Sequence, residues 1–479
     1  MSTSPRIAPS WIGRILISPW LWVGLAMAAF GVIAVVPSGW RSVCRLLIAV
    51  GVVYGVWSLV RWVVRLRPGA RLGFVFFVVV NYLVLEGASW VATRTIWRSP
   101  DLESRLTLSE NDREALRLLM DDPGFLGLKV DPQLGWSHLP NMPNRPTNNL
   151  GLRGAAPVEV STPDGVVRVA CMGDSFTFCS EVSVEESWPH QAQVMLDKSE
   201  FLNFGLPGTG VTQSYLRFQH EAKALGPRVV VIGFLRQNFF RAVNVYRPFL
   251  RPGSGPPIPQ PYAAIEDDTL VIHPPLFQGL DDLPGFLDNP KPILSDLMRR
   301  DYIMQRFVEN TSGSPLWRLG RRVAGHEFIQ DSTNTLLKRR LLSPKPDLRD
   351  IENSPLDTDP HLLEVNRRLM AKYIREVRDI GAVPLVLVYA GKLDVLRSNQ
   401  GKPLHYEPLL KAIEPEGAET IEVVDALASH VGRPLDSESV FKGGHYSPQA
   451  NAVVARTVVE RVRALLLQAS TDGDQAGER

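Results

Sequence analysis

Apolar and polar positions divide the chain into two regimes. Up to Arg94 the apolar residues come in long runs. Residues 15–36 carry no charge over 22 positions. At about 1.5 Å per residue they reach ~33 Å, enough for a hydrocarbon core of about 30 Å. Residues 46–60 form a shorter run, which extends through 62–64 if Arg61 snorkels to the headgroups. Residues 73–85 form a third, which can continue to 93 across Glu86. The pattern predicts a membrane anchor in 1–94 with two to three transmembrane helices. Arg61, Arg65, Arg67 and Arg71 between the second and third runs, with Arg6 and Arg14 at the start, outweigh Arg41 and Arg45. The positive-inside rule then predicts a multi-pass protein of the cytoplasmic membrane, with the C-terminal domain outside the cytoplasm if three spans cross and inside if only two do.

Beyond Arg94 the period changes. Residues 95–165 mix polar, Pro and Gly positions and read as a neck and lead-in. Short β-branched runs at 166–172 (VVRVACM), 201–203, 228–234 (RVVVIGF), 384–390 (PLVLVYA) and 420–426 predict strands. Helical spacing appears at 187–196, 212–225, 361–380 and 447–468. Strands alternating with helices predict an α/β domain, a parallel sheet covered on both faces. Its first part is 166–247 and its second 356–468. Between them, 248–355 reads as a Pro-rich irregular insert, with eleven prolines in 248–292, either a spacer or a substrate-facing flap. Residues 469–479 read as a disordered tail.

Composition adds two constraints. The chain has 479 residues with 52 basic and 50 acidic side chains, a net of +2, which gives no support to nucleic-acid binding. The three cysteines, Cys44, Cys171 and Cys179, are too few for a disulfide framework or a Cys-rich zinc site. The histidines are scattered without metal spacing, so no metal and no cofactor are expected.

Candidate chemistry gathers at predicted strand ends. Gly173-Asp174-Ser175 follows the first strand, where a strand-to-helix turn lets a hydroxyl protrude beside backbone N–H groups. The alternative for a Ser there is a helix N-cap. Gly208 stands in a Gly/Pro turn after the second strand, Asn238 follows the third, and His445 precedes the last helix. In a parallel sheet these positions share the carboxyl edge. A nucleophile, a Gly amide, an amide side chain and an imidazole in this order suit acyl transfer. Arg236, Arg241 and Arg247 are candidates for binding an anionic substrate or for a solvated face. Cys179 either lines the site or is a buried thiol.

The arrangement resembles the SGNH (GDSL-type) hydrolase superfamily. Gly173-Asp174-Ser175-Phe176-Thr177-Phe178 is similar to its first block, and Asn149-Leu150-Gly151-Leu152-Arg153-Gly154 to the lead-in of many bacterial members. The resemblance implies a three-layer, flavodoxin-like fold with Ser175 as nucleophile and His445 as base. Gly208 and Asn238 would complete an oxyanion hole with the Ser175 amide. Three positions depart from the family pattern. The acid two or three residues before the His is replaced by Gly443 and Lys442, Phe239 follows Asn238 in place of Asp, and Cys179 stands where Gly is common. Asp425, Asp436 and Glu438 are the upstream acids within reach of a displaced triad; the alternative is a Ser175–His445 dyad. The expected function is a membrane-anchored serine esterase or deacylase acting on an acylated small molecule, lipid or glycan. The alternatives are an O-acyltransferase modifying a cell-envelope glycan and a catalytically silent glycan-binding or scaffold protein.

Overall fold

The computed structural model describes the helix Pro68–Thr95 with a few residues before it, then 105–143, 146–251, 253, 255–311 and 359–477. The chain divides into two units; the helix Pro68–Thr95 belongs to one, and the sheet and its surroundings to the other. The apolar runs at 15–36 and 46–60 lie outside the described residues. The third run lies in the helix Pro68–Thr95. Among the described residues, no helix is long and apolar enough to cross a membrane. This overturns the transmembrane helix expected at the third run, and with it the multi-pass localisation and the orientation drawn from three spans. The reason is in the run itself. Asn81 and Glu86 interrupt it, and the apolar stretches on either side of them fall well short of the about 20 residues a span needs.

The segment expected as a neck is folded. Ser109 and Asp112 form a reciprocal capping box that starts the helix Glu110–Asp121, whose Leu116 and Leu119 are buried. A hairpin of β1 (Leu128–Asp131) and β2 (Gly135–His138) follows, with Trp136 buried from it. Its apolar residues are too few for a visible period, but Val130 and Trp136 are buried.

The main sheet starts with β3 (Val167–Gly173), β4 (Ser199–Gly205) and β5 (Val229–Leu235). The insert contributes the hairpin β6 (Tyr262–Glu266) and β7 (Thr269–His273). The sheet then closes with β8 (Val383–Tyr389) and β9 (Glu419–Glu422). Its order is β4-β3-β5-β8-β9, all parallel. Every residue of β5 is buried, which in a parallel sheet requires cover on both faces. Two groups of helices supply it. Trp188–Met195 and Val423–Val431 pack with Pro448–Gly477, while Val211–Arg217 and Gln237–Ala242 pack with Pro360–Asp379.

Several elements differ from the sequence reading. The strand expected at 420–426 ends at Glu422; the helix Val423–Val431 takes the rest and buries Val423, Val424 and Leu427 on one face. The helix expected at 212–225 runs Val211–Arg217, then passes through a wider turn, Phe218–Ala222, and a tighter one, Lys223–Leu225. The insert is not irregular throughout. Besides its hairpin it holds the helices Leu283–Asp288, Pro290–Arg300 and Tyr302–Thr311. Pro284 and Pro290 sit in first helical turns, where a missing N–H costs little, so the proline count did not forbid helices. Residues 312–358 lie outside the described residues. The last helix continues to Gly477, over most of the expected tail. Two short strands, β10 (Phe441–Lys442) and β11 (His445–Tyr446), pair antiparallel before it.

Asp301 ties the insert to the core. Its carboxylate, 0% exposed, accepts from the Val245 N–H at 2.8 Å, Asn244 Nδ2 at 2.6 Å and the Met304 N–H at 2.9 Å. Burial pushes this carboxyl up to about 6 despite those bonds.

Candidate active site

The chain leaves β3 toward β4 on one side and returns to β5 on the other, so the strand order reverses at β3. In doubly wound sheets the crevice at the carboxyl edge of such a reversal is where ligands bind. Ser175 opens the helix Ser175–Phe178 at that edge. Gly173 makes the turn possible: its φ is +149°, and a Cβ there would stand 2.8 Å from the Gly233 carbonyl oxygen and collide with the Thr177 hydroxyl. Asp174 caps the helix, accepting the Phe176 N–H at 2.9 Å through Oδ1. The N-cap is therefore Asp174, and Ser175 is left half-buried as the first residue of the helix. Among the described residues, neither the Ser175 N–H nor the Gly208 N–H donates to a protein acceptor. These two donors stand at the ends of adjacent strands.

Asn238 does not have the role the sequence suggested. Its Nδ2 donates to Asp174 Oδ2 at 2.9 Å and to the Thr209 carbonyl at 2.8 Å, while its Oδ1 accepts the Leu235 N–H. Both amide hydrogens are thus taken up inside the protein, and the side chain is 2% exposed. It holds Asp174 rather than presenting a donor to an oxyanion. Arg241 reinforces the same pair of acceptors, at 3.2 Å from Asp174 Oδ2 and 3.1 Å from the Thr209 oxygen. Arg236, Arg241 and Arg247 are all buried, and Arg247 donates to the Gly208 carbonyl at 2.7 Å. Arg241 and Arg247 brace the loops at this edge from inside, and all three are buried rather than on a solvated face.

His445 is carried by the β10–β11 turn. Tyr446 fixes that turn to the end of β8: its hydroxyl accepts the Ala390 N–H at 2.7 Å and donates to the Ala390 carbonyl at 3.1 Å. The Phe176 ring joins the segments of Ser175 and His445, lying 4.9 Å from the His445 ring, 4.9 Å from Tyr446 and 5.5 Å from Tyr389. No hydrogen bond joins Ser175 Oγ to His445 Nε2 in this resting state; such contacts often tighten only when substrate binds.

The sequence reading missed Glu181. Its Oε1 lies 3.2 Å from His445 Nδ1. The same carboxylate accepts the Gly444 N–H at 3.0 and 2.9 Å and the His445 N–H at 3.2 Å. Burial alone would raise its pKa; the Gly444 N–H, the imidazole and the His445 N–H outweigh that and hold it below the usual carboxylate range. The three acids upstream of His445 are elsewhere. Asp425 pairs with Arg433 at 2.8 Å, Asp436 caps the helix Ser437–Val440, and Glu438 is exposed. No spacing rule connects Glu181 to His445; the adjoining glycines Gly443 and Gly444 were the available clue.

Cys179 is a buried thiol. It takes a left-handed conformation, φ +60°, and its Sγ–H donates to the Phe176 carbonyl at 3.3 Å. Burial pushes this thiol up to about 12, which leaves it without thiolate at neutral pH. No protein-family model matches the chain, and no curated protein matches it.

Proposed function

We propose that the chain is an SGNH-type serine esterase. The observation that carries this reading is the turn after β3. It exposes the Ser175 hydroxyl beside two unengaged backbone N–H groups, with the His445 imidazole joined to the same segment through Phe176. Ser175 Oγ attacks the ester carbonyl carbon while His445 Nε2 takes the hydroxyl proton. The carbonyl electrons move to oxygen, which the N–H groups of Ser175 and Gly208 receive. Collapse expels the alcohol, which leaves with the proton from His445. Water then attacks the acyl-enzyme, giving its proton to the imidazole, and the carboxylic acid departs as Ser175 Oγ recovers a proton.

The test is covalent labelling with a fluorophosphonate together with hydrolysis of p-nitrophenyl acetate. The wild-type protein is expected to label at Ser175 and to turn over. Ser175→Ala is expected to lose both while its unfolding free energy changes by less than about 0.5 kcal/mol, since a half-exposed turn hydroxyl carries little packing energy. Unchanged turnover in Ser175→Ala would remove Ser175 as the nucleophile.

A further inference from the structure

The geometry points to Glu181 as the acid that orients His445, moved from the histidine's own loop to the loop that follows the nucleophile. The inference rests on the esterase reading. Its first support is distance: a carboxylate oxygen at 3.2 Å from Nδ1, the ring nitrogen that a triad acid holds. The second is the state of that nitrogen, which is buried and has no well-aligned acceptor of its own, so Glu181 is the group a small ring rotation would bring into line.

The third support is the shape of the space around the carboxylate. Gly443 occupies one of the two positions where the resembled pattern carries its acid. Its φ is +66°, and a Cβ built there would stand 2.5 Å from Glu181 Oε2 and 2.9 Å from Oε1. A Cβ at Gly444 would stand 3.4 Å from Oε1. The carboxylate therefore fills the volume that an acidic side chain at 443 would enter. Two acids there would also repel each other, so a carboxylate from one loop excludes one from the other.

The fourth support is how the Glu181 loop is held. Cys179 makes the left-handed turn out of the nucleophile helix, and Arg153 donates to the Val182 carbonyl at 2.6 Å. The Arg153 guanidinium also lies 4.4 Å over the Phe178 ring. The loop that carries the acid is thus fastened to the helix that carries Ser175. Glu181 is a positioning residue: it holds the imidazole with Nε2 facing Ser175 and stabilises the imidazolium that forms when the serine proton is taken. It exchanges no atom with substrate.

The test is a transplantation. Glu181→Gln and Glu181→Ala are expected to lower kcat for p-nitrophenyl acetate by about a hundred- to ten-thousandfold, with KM within about twofold and Ser175 still labelled slowly by fluorophosphonate. Glu181→Asp should recover part of the loss. Gly443→Asp alone should lower activity, because the added side chain meets the Glu181 carboxylate. Placed in Glu181→Ala, the same Gly443→Asp change should raise kcat by about tenfold or more over Glu181→Ala, a reversal of sign between backgrounds. A Glu181→Gln enzyme within about threefold of wild type, or a double variant no faster than Glu181→Ala, overturns the assignment. If wild-type protein neither labels nor turns over, the esterase reading fails instead. Nitrogen-15 NMR of His445 in the resting protein then decides the pairing. A proton fixed on Nδ1 in wild type and redistributed in Glu181→Gln supports it, and identical spectra refute it.

Discussion

Replacing Asn238 with Ala separates two roles that the same side chain could have. An oxyanion donor, once removed, costs about a hundred- to a thousandfold in kcat and little stability. The structure assigns the amide differently, and the cost can be worked from its three bonds. Asp174 Oδ2 loses a donor at 2.9 Å but keeps Arg241 at 3.2 Å. A hydrogen bond to a charged group is worth about 1.5–3 kcal/mol. The Thr209 carbonyl loses a donor at 2.8 Å and also keeps Arg241, for a loss near 1 kcal/mol. The Leu235 N–H is left buried without its acceptor, at about 1–3 kcal/mol. The expected destabilisation is about 4–7 kcal/mol, read from urea unfolding of wild type and variant. Turnover per folded molecule should fall by less than about tenfold, because the Ser175 and Gly208 N–H groups are untouched. A loss of a hundredfold or more in kcat at unchanged stability would show that the Asn238 amide turns toward the oxyanion, and would refute this reading of the network.

Two further outcomes test the groups around the site. The Asp301 carboxyl is raised from 3.8 to about 6 in the folded protein, so between those values the folded state holds a proton that the unfolded chain has released. Stability should therefore fall as pH rises through that window, by up to about 3 kcal/mol at about 1.4 kcal/mol per pH step. Urea midpoints from pH 4 to 7 should show this slope in wild type and lose it in Asp301→Asn; a rising slope in wild type attributable to this residue would contradict the sign. The buried Cys179 thiol, pushed up to about 12, should resist iodoacetamide at pH 8 in native protein and react only after denaturation, as mass spectrometry of its peptide would report; rapid native alkylation would contradict its burial.

The sheet and the turn that carries Ser175 were legible in the sequence because both depend on local signals. Runs such as VVRVACM and RVVVIGF are buried over most of their length, and β3 and β5 fall within about one residue of them. The turn at Gly173-Asp174-Ser175 follows from a strand end meeting a helix start. Glu181 was not legible because its partner lies far along the chain, and the contact depends on a left-handed Cys179 and a side-chain-free Gly443. Asn238 was placed at the right edge of the sheet, yet the direction of its amide is set by Asp174, Thr209 and Leu235, three partners from three loops. The stretch after Thr420 misled because Val423 and Val424 favour strands locally, whereas burial of Leu427 with them fits a helix. The third apolar run misled in another way: it was extended across Glu86, and Asn81 within it was given no weight.

The neighbours β5 and β8 pair in register from Val229 opposite Val383 to Leu235 opposite Tyr389, with about 150 residues of chain between them. The entropic penalty for bringing such distant ends together grows only with the logarithm of the loop, about 0.6 kcal/mol for each doubling. The sheet is therefore nearly indifferent to how much chain is spliced in at this point, and halving or doubling the insert would scarcely alter its closure. What limits such splicing is the Asp301 anchorage on Asn244 and Val245, two residues from the Arg247 that braces Gly208. Evolution can exchange the remainder of the excursion as a cassette, diversifying what approaches the crevice without redesigning the strands beneath it.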